Sequence, residues 1–123
     1  MIEKTIKGIK YRLDEENLTA VVIQKKGYEG NIIIPETVVF EEVAYRVTSI
    51  GDDAFSDCSS LTSIVIPDGV KSIGESAFKY CSSLTSITFN GTKAQWKGIN
   101  LGEDWNDEVP TKLIHCTDGE VKI

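Results

Sequence analysis

Apolar and polar residues alternate in short runs along much of the chain, and no run is long enough to predict a long helix. The alternation over 8–13 and over 18–23 predicts two β-strands, because successive side chains of a strand point to opposite faces. The polar segment 14–17 between them predicts a turn, and therefore a β-hairpin. A second turn at 27–30 precedes a third predicted strand, 31–34.

From residue 50 onward the pattern repeats after 23 positions. The segments 50–66 and 73–89 share Ile, Gly, Ala, Phe, Cys, Ser, Ser, Leu, Thr, Ser and Ile in the same order. Each segment predicts a short strand, a brief helical turn and a second strand. A fixed period near twenty residues is typical of a solenoid, in which one unit stacks on the next. We therefore expect Phe55 to lie over Phe78 in one shared hydrophobic column.

The segments outside the repeats are predicted to cap the two ends of the solenoid, which would otherwise expose apolar core to water. Apolar residues on both sides of Glu41 and Glu42 predict a small hairpin within an insertion, 37–45. The single domain, 1–123, is divided into an N-terminal β cap (1–34), the repeats (35–89) and a C-terminal cap (90–123).

The C-terminal cap contains its own signals. Thr92 and Gln95 have the spacing of a capping box and predict a short helix. The tail 117–120 is predicted to be mobile. The remaining parts of this cap are Trp96 and Ile99 on one helix face, Trp105, and a strand at 113–116.

Charge and hydrophobicity exclude some functions. The net charge is −6 and the pI about 4.8, so no general attraction to nucleic acid or to an anionic membrane is expected. No apolar run reaches the roughly 20 residues of a transmembrane helix, so no membrane insertion is predicted. Residues 1–7 lack a signal-peptide core. The chain as given is then either cytoplasmic or a segment from which an export signal has been removed.

Candidate catalytic and metal-binding residues are few. His115, the one histidine, adjoins Cys116, but neighbours on a strand point to opposite faces and are badly placed for a dyad. Cys58 and Cys81 occupy equivalent repeat positions with parallel Cβ vectors, which favours buried free thiols over a disulfide. The acidic pairs fit solvated turns better than calcium sites. We predict no enzyme activity, no metal and no cofactor.

The sequence resembles a known family, the BspA-like (Treponema pallidum type) leucine-rich repeats, over about residues 28–119. The resemblance is carried by Ile50-Gly51-x-x-Ala54-Phe55-x-x-Cys58-x-x-Leu61-Thr62-Ser63-Ile64-x-Ile66-Pro67 and its copy ending at Phe89. It implies a β-rich, right-handed leucine-rich-repeat coil of short strands with 3₁₀ or α turns. It also implies a place on a bacterial surface or in the secreted fraction, with a role in adhesion or host-protein binding.

A candidate binding face follows from the second strands of the repeats. Ile64 and Ile87 point inward, so the alternate residues point outward. The outward positions are Asn31, Ile33, Ser63, Val65, Ser86 and Thr88. This face suits a protein partner, such as a host extracellular protein. The alternative is a structural spacer or capping segment of a larger surface protein, with no ligand of its own. The oligomeric state stays open.

Overall fold

The computed structural model describes all 123 residues, Met1–Ile123. It contains twelve strands and one short helix, α1 (Lys93–Lys97). The strands are β1 (Ile2–Ile6), β2 (Ile9–Asp14), β3 (Thr19–Val22), β4 (Gly30–Ile33), β5 (Thr37–Phe40), β6 (Val43–Ile50), β7 (Leu61–Ile66), β8 (Ser72–Ile73), β9 (Ser86–Phe89), β10 (Asn100–Leu101), β11 (Leu113–Cys116) and β12 (Gly119–Lys122).

Two sheets enclose one hydrophobic core of 29 buried residues. Sheet A has the order β1-β2-β3-β6-β8-β10, with β5 paired to β6, and sheet B has the order β12-β11-β9-β7-β4. The chain passes from sheet A to sheet B four times, through β3–β4, β6–β7, β8–β9 and β10–β11. Strands of successive coils are parallel. The predicted β-rich solenoid is confirmed, with about four coils.

The predicted stacking of equivalent residues is also confirmed. Ile64 lies opposite Ile87 in parallel register, and Ile32 and Ile114 continue the same row on either side. Ile64, Ile87 and Ile114 are fully buried, so this row is the aliphatic spine of the core. Burying each such side chain stabilises the fold by about 1.5–3 kcal/mol.

A second column is aromatic and runs through all four coils. The ring centroids of Tyr28 and Phe55 are 4.6 Å apart, those of Phe55 and Phe78 5.2 Å, and those of Phe78 and Trp105 6.2 Å. The sequence predicted the middle pair and placed Trp105 in the terminal cap, but it assigned Tyr28 only to a turn. The structure shows that the first and last coils contribute the two end rings of the column, and that Trp105 does so from the turn position equivalent to Ala77.

Backbone hydrogen bonds join the turns of successive coils in one direction. The N–H groups of one turn donate to the carbonyl oxygens of the next turn along the chain. The bonds run from Asp53 to Glu75, Phe55 to Ala77, Asp57 to Lys79, Ser76 to Glu103, Phe78 to Trp105 and Tyr80 to Asp107, at 2.7–3.0 Å. The first coil takes no part in this ladder, because its turn, 23–29, is shorter than the second turn, 51–60.

Glycines allow the coils to approach closely where each turn begins. A Cβ on Gly74 would lie 2.4 Å from Asp52 Oδ1 and 2.5 Å from Asp52 N, and a Cβ on Gly102 would lie 2.4 Å from Glu75 N. Distances this short are excluded for real side chains, so a residue without a Cβ is required at both positions.

The N-terminal β-hairpin is confirmed as β2–β3, and the structure adds a strand in front of it. β1 pairs antiparallel with β2, and a turn with positive φ at Lys7 and Gly8 joins them. The predicted insertion hairpin is confirmed as β5–β6, whose turn residues Glu41 and Glu42 have φ values of 50° and 67°.

The capping box of α1 is confirmed, since Thr92 and Gln95 exchange reciprocal hydrogen bonds. The prediction of a mobile tail is wrong. Residues 119–122 form β12, which pairs antiparallel with β11. Asp118 Oδ1 accepts a hydrogen bond from the Lys93 N–H at 2.8 Å, and the Thr117 N–H donates to Gly91 O at 2.9 Å. These bonds hold the tail against the start of the helix.

Candidate functional site

The six candidate residues lie on the outward side of sheet B in two straight rows, which we call the outer face. The register of β4, β7 and β9 sets Asn31 beside Ser63 and Ser63 beside Ser86. The same register forms a second row from the three remaining residues, Ile33, Val65 and Thr88. Each row crosses three coils because one outward position recurs in each parallel strand.

The outer face is uncharged and partly exposed. Ile33 is 62% exposed and Asn31 is exposed, whereas Ser63, Val65, Ser86 and Thr88 are half-buried. The Ser63 hydroxyl donates to Asn31 Oδ1, which fixes the orientation of one polar pair. The remaining hydroxyls are free to meet a partner's polar groups.

Two further residues lie beside the outer face, and the sequence analysis did not place them there. His115 on β11 lies opposite Thr88, and Glu120 on β12 lies opposite His115. Their side chains lie within hydrogen-bonding distance, with His115 Nδ1 2.7 Å from Glu120 Oε2. The 23-residue period does not reveal His115, because β11 follows β9 by 27 positions. It does not reveal Glu120 either, because the tail was predicted to be mobile.

The thiols are free and poorly suited to chemistry. Cys81 is fully buried, and its Sγ donates to Phe55 O at 2.9 Å. Burial, followed by the neighbouring Cys58, raises the pKa of Cys81 to about 12. Burial also raises the pKa of Cys58 and of Cys116. The thiolate is the reactive form, so these groups are weak nucleophiles at neutral pH.

The prediction that both repeat cysteines are buried holds for Cys81 and is wrong for Cys58, which is half-buried. The cause is the short turn of the first coil. It leaves a polar notch of about 660 Å³ beside the second turn, and Cys58 lines this notch. Lys25 is also in the notch, with its Nζ 5.0 Å from the centroid of the Tyr28 ring.

No group of three or more His, Cys, Asp or Glu side chains is placed to hold a metal ion. The carboxylate nearest His115 belongs to Glu120, and the pair lies on an open strand face rather than in a cleft. No helix of the structure has the length and hydrophobicity needed to cross a lipid bilayer.

The stacked coils, the L-x-x-I-x-I strands and the glycines between turns define a leucine-rich-repeat solenoid. The family model of the BspA type leucine rich repeat region (6 copies) matches residues 30–98. The chain therefore belongs to the BspA-type leucine-rich-repeat family. No curated protein matches the sequence.

Solved structures of other leucine-rich-repeat proteins are similar to this chain. A leucine rich cell surface protein from Faecalibacterium prausnitzii is 31% identical, covers 83% of this chain and superimposes with a TM-score of 0.66. A leucine-rich repeat protein from Bacteroides ovatus is 36% identical, covers 71% and has a TM-score of 0.63. The Treponema pallidum leucine rich repeat protein is 22% identical over 73%, with a TM-score of 0.57 and 44% of its own length matched, and it supports the fold alone.

This chain spans only part of the first two proteins, 27% of the F. prausnitzii chain and 23% of the B. ovatus chain. Leucine-rich repeats of this family commonly mediate protein interaction, and such folds are generally non-catalytic.

Proposed function

We propose that the chain is a non-catalytic protein-interaction module that binds a protein partner through the outer face of sheet B. The observation that carries this proposal is the pair of uncharged, partly exposed rows, one containing Asn31, Ser63 and Ser86 and the other built around Ile33. A flat strand surface with mixed hydroxyl and aliphatic groups can meet another protein without removing charges from water. Solenoids use extended sheet surfaces in this way.

The absence of enzyme activity belongs to the same proposal. The three thiols have raised pKa values, and Cys81 lies fully inside the core. His115 faces water with Glu120 as its partner and has no nucleophile beside it. A general base must lie within about 3 Å of the proton that it removes from a bound substrate, and His115 and Glu120 are about half exposed on an open strand face rather than enclosed in a cleft.

The partner we propose is a host extracellular protein, and the proposed location is the bacterial surface or the secreted fraction. Support comes from the family and from the cell-surface protein of F. prausnitzii, which is 31% identical to this chain. The net charge of −6 argues against nucleic acid as the partner, because phosphate backbones would be repelled.

The test is a binding screen of the purified chain against host extracellular matrix proteins, with wild type compared to Ser86→Arg. Ser86 lies on β9, the central strand of sheet B, so a bulky cation there should weaken any binding at least about tenfold, or about 1.4 kcal/mol. Ser82→Arg makes the same chemical change on an exposed turn of the same coil and serves as the matched control. Equal affinities of the wild type, Ser86→Arg and Ser82→Arg would contradict the outer face as the contact surface.

A second candidate function is a spacer or capping segment of a longer surface protein. This role is favoured by the extra strands at the two ends of the solenoid. β1 and β2 extend sheet A at the N-terminal end, and β12 extends sheet B at the C-terminal end. The spacer role predicts no binder for this chain even when a longer array that contains it does bind. The interaction role predicts that the isolated chain retains the binding.

A further inference from the structure

Strand β4 forms a free edge at the N-terminal end of sheet B, since it pairs with β7 on one side only. Gly30 and Ile34 donate their N–H groups toward the next coil, at 2.8 and 3.0 Å. The N–H groups of successive strand residues point to opposite sides. The N–H and C=O groups of Asn31 and Ile33 therefore point to the open edge, where another strand could accept and donate hydrogen bonds.

Sheet A extends beyond sheet B at this end. In sheet A, β2 and β1 lie outside β3, whereas in sheet B no strand lies outside β4. The difference leaves a step beside β4, with the β1–β2 hairpin as its wall. Two grooves of about 320 and 310 Å³ lie along the step. Lys7, Ile9 and Ile33 line both of them. Together the grooves follow β4 from its beginning to Pro35.

The two grooves differ in chemistry. The groove at the beginning of β4 is lined by Lys7 and Lys25 with one carboxylate, that of Glu29. The groove at the end of β4 shares Lys7 but is otherwise mostly apolar, and it includes Ile6 and Val39, the latter 61% exposed. An occupant of the whole step should therefore be acidic at one end and apolar at the other.

Both lysines lack a carboxylate partner. The salt bridges that involve a lysine or an arginine use other residues, Lys10, Arg12 and Lys79. In a chain with a net charge of −6, two unpaired cations beside an open strand edge attract an acidic segment.

The hydrophobic core is also incomplete at this step. Ile32 belongs to the same inward row as Ile64 and Ile87. Those two are fully buried, whereas Ile32 is only partly buried and lines the groove. An apolar side chain packed against the open side of Ile32 would bury it, as Ile64 is buried between its neighbours in the adjacent coils.

We propose that β4 accepts an added strand from a partner protein, an extended segment with an acidic residue followed by alternating apolar residues. This proposal rests on the proposed role in protein interaction, but it places a contact at the edge of the sheet rather than on the outer face. The added strand runs parallel to β4, as neighbouring coils do, so its acidic beginning meets Lys7 and Lys25. Backbone hydrogen bonds supply affinity, and the two grooves select the side chains.

The test uses a peptide whose composition fits the step. Its sequence is that of residues 56–67 with Cys58→Ser, which carries Asp57 near its beginning and the apolar pattern of β7. The peptide is titrated into ¹⁵N-labelled full chain. We expect saturable shifts and exchange protection at the amides of Asn31 and Ile33, with a dissociation constant below about 1 mM. No saturable shift up to that concentration would overturn the proposal.

Two peptides that are N-methylated at alternate amides separate strand addition from side-chain binding. In strand addition only one set of amides faces β4, so one methylated peptide loses binding and the other keeps it. Equal affinities for the two peptides would overturn the proposal. Shifts confined to Ser86 and Thr88 would also overturn it, while leaving the outer face standing as a binding surface.

The charge selectivity is tested on the protein. Lys7→Glu with Lys25→Glu should weaken peptide binding at least about fivefold at low ionic strength, and added salt should reduce the difference. Lys97→Glu with Lys122→Glu makes the same change at the other end of the solenoid and should leave the affinity unchanged. Equal effects of the two pairs would show that net charge, rather than the step, controls binding.

Discussion

The ring of Phe55 lies face to face with the ring of Phe78, with centroids 5.2 Å apart and planes within 1° of parallel. Both side chains are fully buried. The separation matches the distance between neighbouring strands, so the rings stack because the coils do. The stability of each coil therefore depends on the ring contributed by the next.

Phe78→Ala should destabilise the chain strongly. The substitution removes a ring that contacts both Phe55 and Trp105 and leaves a cavity between coils, at a cost of about 3–5 kcal/mol. Urea unfolding measures the loss. Tyr80→Ala removes an aromatic ring from the same turn, but Tyr80 is 47% exposed, so we expect a loss below about 1 kcal/mol. Similar losses for the two variants would contradict a continuous aromatic column.

Gly74→Ala should be costly for a different reason. The new Cβ would meet the backbone and side chain of Asp52 at 2.4–2.5 Å, so the two coils would have to separate. We expect a loss of about 3 kcal/mol in the free energy of unfolding. Gly98→Ala is the matched control, because its nearest neighbour, Gln95 O, lies 3.5 Å away and φ is −86°. It should be neutral or stabilising by up to about 1 kcal/mol.

Stability should fall between about pH 9 and pH 12. The unfolded Cys81 thiol loses its proton near 9.0, whereas the folded thiol keeps it up to about 12. In that window the unfolded state binds fewer protons, so the free energy of unfolding decreases as the pH rises. Cys81→Ala should show a shallower decrease in urea unfolding across this range. The raised pKa values of Tyr11 and Tyr28 also lower the stability at high pH, but they do so in both the wild type and Cys81→Ala. Parallel pH profiles would contradict the prediction.

The β5–β6 turn offers a stabilising change. Glu41 and Glu42 both have positive φ, which Asn-Gly tolerates better than two glutamates. Glu41→Asn with Glu42→Gly should raise the free energy of unfolding by about 0.5–1 kcal/mol. The same exchange at Glu15 and Glu16, which do not have positive φ, should bring no gain. A gain at both turns would point to charge removal rather than backbone conformation.

Much of the fold could be predicted from residue spacing. The 23-residue period sets the register of β7 and β9, because identical residues in identical order can stack only one way. The fourth coil was not recognised as a coil, since α1 intervenes and Gly102 follows Gly74 by 28 positions. Trp105 then replaces the Ala-Phe pair of the earlier turns, which removes the sequence match although the ring still joins the column.

The candidate site was only partly predictable. Strand alternation correctly placed Asn31, Ser63 and Ser86 on one outward row, because alternation is a local property. Two other features depend on contacts between distant segments. His115 joins the outer face only through the register of the hidden fourth coil, and Cys58 is half exposed only because the first turn is too short to cover it.

The one-way ladder of turn hydrogen bonds makes the two ends of the molecule chemically different. In the last coil the N–H groups of Asp104, Asn106 and Glu108 have no backbone acceptor. At the other end, the carbonyl oxygens of the second turn, those of Asp52, Ala54 and Ser56, have no backbone donor. Four acidic residues, Glu103, Asp104, Asp107 and Glu108, lie in the same last turn as these donors, and the lysines of the notch lie beside the second turn. The ladder of turns therefore has a direction, and another turn could extend it at either end in only one sense.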